Sequence, residues 1–439
     1  MHKRNEDEFL TAPKQQTTWT KEQVTELLEK ELFEFQRFEL PYGLATPGRD
    51  RSATANAILP KDMTGKTYLD VGCYQGFFVI EAMRRGATRA VGYDIDPENI
   101  RKARLLADCC GVNAEFEVLD LSRDAIEAKF DVVSCLNVLH HVGNPLLALE
   151  KLVSVSRETL AIEICSITPR ERRRLGMSKL RGWFLNREPI IYVNPAIMDK
   201  NPLVKAKVLD QKFYITNAAL ENLLRDHHTQ FARVETLPPT FKERSITLAH
   251  RRRIDELTVF VAPLPDDAKS FAAAAMSGAA PGVAKAAGLL GGKDRRVLSL
   301  NELHDSGEVS MPKAFVHGSF LRHLGHSDGA GPFRHEVLDC IDSAKNTTQL
   351  LLWLPPEEIQ RRSRDHVARR SKDLAEDGRY GGSVQHDLNF YFNSEERVRQ
   401  RYREWIAASE KQGVETLVVR AADWKIMTPD EWDSSARPG

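Results

Sequence analysis

No sign of charge dominates this chain. It carries 62 Lys and Arg against 62 Asp and Glu over 439 residues. That balance argues against a dedicated nucleic-acid binder, which concentrates positive charge. No apolar run approaches the 18 or more residues of a transmembrane helix. The first residues, Met-His-Lys-Arg-Asn-Glu-Asp-Glu, are charged with no apolar core behind them, so a secretory signal is not expected. Cysteine is sparse. Of Cys73, Cys109, Cys110, Cys135, Cys165 and Cys340, no two are spaced as C-x-x-C. A metal site is therefore not expected, and the thiols read as small buried hydrophobes of a reducing, cytoplasmic protein. Neither G-x-G-x-x-G nor G-x-x-x-x-G-K-[ST] occurs, which argues against an ordinary dinucleotide fold and an intact triphosphate loop.

What is present is enough apolar residue, 42% of the chain, for real cores, and enough length for two domains of ordinary size. Residues 1–29 read as a polar lead-in. Strand candidates at 67–71, 89–94, 114–119, 130–136 and 159–165 alternate with helices near 76–86, 97–111 and 144–154. That alternation predicts an α/β fold, a doubly wound parallel sheet covered on both faces. The rhythm breaks at 166–210, where 170–187 is basic and interleaves Trp183 and Phe184. A helix at 216–227 and strands near 232–236 and 245–250 would close the first domain, 30–253, with an antiparallel pair. The rest, 254–439, reads as a second α/β domain. Its strands are expected at 257–262, 296–299, 313–317, 349–354 and 415–420. An Arg-rich helix is expected at 356–372 and a long polar helix at 394–412.

The most informative segment is Asp70-Val-Gly-Cys-Tyr-Gln-Gly76, which follows an apolar strand and opens a helix. Gly72 and Gly76 let backbone approach a ligand without a Cβ in the way. Asp94 ends the next strand about 20 residues on, where a ribose-binding carboxylate belongs in a doubly wound sheet. Asp96 before Pro97 reads as a helix cap. The turn, Asp94, Asp120 and Asn137-Val-Leu-His140-His141 stand in the register of class I S-adenosylmethionine-dependent methyltransferases, which the segment 40–250 resembles. Within them the order of motifs is most similar to the wobble-uridine tRNA carboxymethyltransferase family and its uncharacterised relatives.

The resemblance implies that S-adenosylmethionine is the cofactor. It would be held by Asp70, Gly72, Cys73, Gln75 and Gly76 at the turn, by Asp94 and Ile95 at the ribose, by Asp120 and Leu121 at the adenine, and by Asn137 beneath the methyl group. One position departs. That family has tyrosine where this chain has His140, and its basic partners for a carboxylated cofactor have no evident counterpart. Plain S-adenosylmethionine and a small-molecule or glycan hydroxyl are thus expected in place of a tRNA base, with tRNA modification and a non-catalytic scaffold as the alternatives. His140 and His141 are candidate general bases, since imidazole titrates near neutrality. Their other reading is one packed and one solvated ring. Glu163 is a candidate for orienting the acceptor, or for bonding to backbone. The basic stretch 170–187 reads equally as a phosphate grip or as a lid helix with a solvated face.

The second domain weakly resembles small-molecule P-loop kinases. Lys269 and Ser270 fall in register with a phosphate loop, but its two glycines are missing. Asp266 and Asp267 would also place negative charge where phosphate should sit.

Overall fold

In a computed structural model of the chain, the residues described are 17–165, 169–174, 176–185, 187–193, 213–226, 231–238, 240, 244–288, 297–319, 340–341, 343–362, 364–365 and 394–435. Two compact units result. One comprises Met1–His227 with Arg233–Arg251, the other His228–Ala232 with Arg252–Gly439.

The first unit holds the expected doubly wound sheet. Its strands are β1 (Thr67–Val71), β2 (Arg89–Asp94), β3 (Glu115–Val118), β4 (Phe130–Leu136), β5 (Ser156–Cys165), β8 (Phe231–Leu237) and β9 (Arg244–Arg251). They lie in the order β3-β2-β1-β4-β5-β9-β8. β1 pairs in parallel with β2 and β4, and β9 runs antiparallel to β5. The central strands are buried along most of their length, which is why they read as continuous apolar runs. α3 (Phe77–Arg84) follows β1, α4 (Pro97–Cys109) follows β2, and α5 (Pro145–Val155) precedes β5. α4 starts as its sequence predicts: Asp96 Oδ1 accepts from Glu98 N (2.9 Å) and Pro97 occupies N1. Before the sheet come α1 (Lys21–Lys30) and α2 (Ser52–Ile58). The basic stretch forms two short helices, α6 (Pro169–Arg174) and α7 (Lys179–Leu185), with Leu180 and Phe184 exposed on α7. A ribbon of β6 (Ile191–Val193) and β7 (Phe213–Ile215), followed by α8 (Asn217–Asp226), lies before β8.

The second unit is a six-stranded sheet. Its strands are β10 (Arg253–Ala262), β11 (Leu298–Ser299), β12 (Ser310–Ser319), β13 (Ala344–Trp353), β14 (Glu415–Arg420) and β15 (Lys425–Met427), in the order β11-β12-β10-β13-β14-β15. Among the described strands of this sheet only β15 is antiparallel to its neighbour. The described helices include α9 (Pro265–Met276), α10 (Pro281–Ala286), α11 (Leu300–Asp305), α12 (Glu395–Lys411) and α13 (Pro429–Ser434). β10 begins four residues before its expected start at 257. Its charged first half pairs across strands, Glu256 with Lys313 (3.0 Å) and Asp255 with Lys345 (2.6 Å), which no apolar pattern announces. The Arg-rich helix is described over 356–362 and 364–365, and the rest of the expected 356–372 lies outside the described residues.

Among the described residues no helix is long and apolar enough to cross a membrane, and no group of three or more His, Cys, Asp or Glu could hold a metal ion.

Candidate active site

The turn after β1 is left-handed at three residues: Gly72 (φ 80°), Tyr74 (φ 54°) and Gly76 (φ 87°). It is stitched to β2, since Gly72 N and Cys73 N both donate to Tyr93 O (2.7 and 2.9 Å). Tyr74 N donates to Asp94 Oδ2 (2.9 Å), so the turn and the end of β2 form one assembly. The glycines do more than the sequence suggests. A Cβ on Gly72 would stand 2.0 Å from Val138 Cγ2, and one on Gly76 would stand 2.6 Å from Phe116 Cε1. Side chains of the protein itself fill that space, so both glycines serve close packing as well as a positive φ. Gln75 is buried in the turn, and its Oε1 has no partner.

Asp94 is buried, and its Oδ1 accepts from Asp96 N (3.0 Å) and Asn99 Nδ2 (3.1 Å). A carboxylate offers about four acceptor positions. With Tyr74 N on Oδ2, room remains for a ligand hydroxyl. Ile95 next to it is exposed. Beyond β3, Asp120 Oδ1 accepts from Ser122 N (2.9 Å), and Asp120 N donates to Asp124 Oδ2 (2.8 Å). Leu121 is buried beside this turn.

Asp70 is fully buried within β1. The Ser134 hydroxyl donates to its Oδ1 (2.6 Å) and lies 2.6 Å from the Tyr68 hydroxyl. Burial pushes its pKa up to about 7. The bond from Ser134 and the charge of Arg51 work against that rise, while Asp94 and Glu163 add to it. A carboxyl whose folded pKa exceeds its unfolded value favours the folded state at low pH and loses that contribution as pH rises through about 7. The difference is on the order of 4 kcal/mol. Asp70→Asn, which cannot titrate, should therefore melt higher than wild type above pH 7, and the gap should close as pH falls toward 4. A gap that does not change with pH would contradict this assignment.

Glu163 lies near the end of β5 and is 0% exposed. Arg51 Nη2 donates to both of its oxygens at 3.0 Å, Arg244 Nη1 reaches Oε2 at 3.3 Å, and Asn137 Nδ2 donates to Oε2 as well. Asn137, left-handed at φ 61°, also donates its N–H to Glu163 O (2.8 Å). The Glu163 carboxylate thus bonds to side chains rather than to backbone, and with its main-chain carbonyl accepting from Asn137 it ties the ends of β4 and β5 together. The two arginines are neighbours of this candidate site that the sequence pattern does not announce. Arg51 stands in the turn-rich Gly-Arg-Asp-Arg-Ser segment, the one local signal that could have drawn attention to it.

His140 is buried, its Nδ1 has no partner, and its ring lies 4.2 Å from that of His141, which is half-buried. Burial, then His141 and Arg244, hold its pKa down at about 3. That burial favours the neutral imidazole at physiological pH, away from the near-neutral titration of a free ring.

In the second unit, β10 ends at Ala262 and α9 begins at Pro265, so no extended glycine turn separates strand from helix. Lys269 and Ser270 are exposed on α9, and Asp266 and Asp267 occupy its first turn. Asp267 pairs with Arg362 (2.5 Å). With carboxylates where phosphate would approach, magnesium-ATP should leave the melting temperature unchanged, both in wild type and in Lys269→Ala. A shift of several degrees that disappears in Lys269→Ala would contradict this.

Residues 62–225 match the family model of the methyltransferase domain. Among curated proteins, the ribosomal protein L11 methyltransferase of Escherichia coli SMS-3-5 is 43% identical over 95 residues, 21% of this chain and 31% of that protein. The same enzyme from the K12 / DH10B strain is 39% identical over 94 residues, with the same coverage. The chain thus spans about a third of the length of these relatives. Among solved structures, magnesium protoporphyrin IX methyltransferase from Synechocystis PCC 6803 with bound SAH is 19% identical, with a TM-score of 0.33 over 46% of this chain and 81% of that one. The N-terminal domain of EvdMO1 with SAH and D-fucose is 19% identical, with a TM-score of 0.39 over 53% and 98%. Likenesses that weak carry nothing about activity.

Proposed function

We propose that this chain is an S-adenosylmethionine-dependent methyltransferase. The donor would lie across the C-terminal ends of β1, β2 and β4, and the acceptor would be a hydroxyl of a small molecule or glycan. The observation that carries the reading is the joined turn and acid: Gly72–Gly76 bonded through Tyr74 N to Asp94, within the stretch that matches the methyltransferase domain. The residues present suit this cofactor. Gln75 Oε1 is a buried acceptor with no partner, which a ligand ammonium or hydroxyl would satisfy, and Asp94 keeps an acceptor position for ribose. Asp94 and Glu163 both raise the pKa of Asp70, so negative charge gathers at this end of the sheet, which suits a cationic ligand.

The bound cofactor supplies an already reactive methyl group on its sulfonium. The protein's part is to align the acceptor and exclude water. His140, neutral and with a buried Nδ1 that lacks a partner among the described residues, would accept a hydrogen bond from the acceptor hydroxyl. Its low pKa is no obstacle, because a hydroxyl that has received a methyl group is a far stronger acid than imidazolium. Plain S-adenosylmethionine is favoured over a carboxylated cofactor because Arg51 and Arg244 already bind Glu163. The match to ribosomal protein methyltransferases covers a stretch of 95 residues, and an acceptor does not transfer across it. The methyltransferase unit spans about 30–253, and 254–439 is an accessory α/β module.

The test is transfer of labelled methyl from S-adenosylmethionine to three acceptor sets: nucleotide sugars and glycans, tRNA, and ribosomal protein. Label in the first set supports the reading. Label only in tRNA, with steep salt dependence, moves the acceptor to nucleic acid. Cofactor binding with no transfer to any set favours a scaffold.

A further inference from the structure

The chain between α1 and α2 is built to present one ring. Phe33 and Phe38 are buried, while Phe35 between them is 67% exposed. Phe35 is also left-handed, at φ 63°, a conformation that a bulky residue adopts only when its surroundings impose it. Those surroundings are well fastened. Arg49 N donates to Phe35 O (3.0 Å), Arg37 N to Arg49 O (2.9 Å) and Phe38 N to Thr46 Oγ1 (2.8 Å).

The segment is tied to both helices that leave the site. At one end Glu31 pairs with Arg101 (2.6 Å) and Leu32 O accepts from Lys102 Nζ (2.9 Å), both on α4. At the other, the Phe38 ring meets that of Phe77, the first residue of α3, edge to face at 5.7 Å. Phe35 itself meets Tyr74 edge to face, with centroids 5.5 Å apart and planes at 88°. Tyr74 is the left-handed residue of the glycine turn whose N–H holds Asp94. Its contact with Tyr74 is a small gain that the cost of the left-handed backbone offsets, so the stability of the fold gives little reason for an exposed ring there.

We propose that Phe35 is a cofactor-binding residue, an aromatic wall that packs on the adenosyl part of the donor beside Tyr74 and Asp94. The inference rests on the reading that this crevice holds the donor. It places strain and exposure where binding repays them, so Phe35 opposes stability in the free protein and contributes affinity in the complex.

The experiment measures S-adenosylhomocysteine affinity by calorimetry, together with the melting temperature of the free protein, for wild type, Phe35→Ala, Phe35→Gly and Phe35→Tyr. Phe35→Ala and Phe35→Gly are expected to bind about tenfold or more weakly, as loss of a buried aromatic face implies. Their free-protein melting temperature should not fall, and in Phe35→Gly it should rise, because glycine adopts a positive φ without penalty. Phe35→Tyr should retain wild-type affinity. Affinity within twofold of wild type in both truncations, or a melting temperature that falls along with affinity, overturns the inference while leaving the donor site standing. A wild-type protein that does not bind S-adenosylhomocysteine overturns the underlying reading and this inference with it.

Discussion

Asp94→Ala is expected to weaken S-adenosylhomocysteine binding by at least tenfold and by as much as a hundredfold. Hydrogen bonds to a charged group are worth roughly 1.5–3 kcal/mol, and tenfold corresponds to about 1.4 kcal/mol. Two losses combine in this variant. The ligand loses a buried acceptor, and the turn loses the anchor of Tyr74 N, along with the bonds to Asp96 N and Asn99. Calorimetry on the folded variant is the measurement. Unchanged affinity, with circular dichroism showing an intact sheet, would mean that the ribose does not sit at Asp94.

Glu163→Ala should produce the largest loss of stability. Removing this carboxylate leaves Arg51 and Arg244 buried or half-buried without their common partner. Breaking a buried ion pair from one side costs about 3–5 kcal/mol. For a unit of this size that corresponds to a fall of roughly 10 °C in melting temperature. Glu163→Gln keeps the shape and one acceptor, and should fall by less. Scanning calorimetry follows the transition of the first unit in both variants. If Glu163→Gln instead melts like wild type but has lost methyl transfer, the carboxylate acts on the acceptor and not on the arginines.

The contrast between these residues shows which parts of the molecule local sequence encodes. Asp94 was legible because its place depends on local order: strand, turn, helix, strand, acid. Each of those steps has a period or a glycine to mark it. The same holds for Asp96, whose capping needs only Pro97 behind it. The Arg51–Glu163 pair joins residues 112 positions apart, and Arg244 reaches Glu163 across 81. Nothing local distinguishes these arginines from solvated ones, and only the sheet order brings them together.

His140 illustrates a different gap. Its residue type suggested titration near neutrality, but its burial and its neighbours remove that property. Phe35 lies beyond the end of α1 at Lys30, and no local pattern marks its left-handed backbone. In the second unit, Gln349 lies fully buried in the middle of β13. Its side chain is bonded to Ser409, Thr416 and Trp405, a network whose members come from three elements. Periodicity records burial, and it does not record which polar groups will find each other after folding.

The measurement that bears most directly on the central claim is a crystal structure of the full chain with S-adenosylhomocysteine. The account predicts the ligand across the C-terminal ends of β1 and β2. Its ribose hydroxyls should lie within hydrogen-bonding distance of Asp94, its adenine beside Asp120 and Leu121, and its amino-acid end at the Gly72–Gly76 turn. Ligand bound elsewhere, or crystals that stay empty at millimolar ligand with the crevice open to solvent, would contradict it.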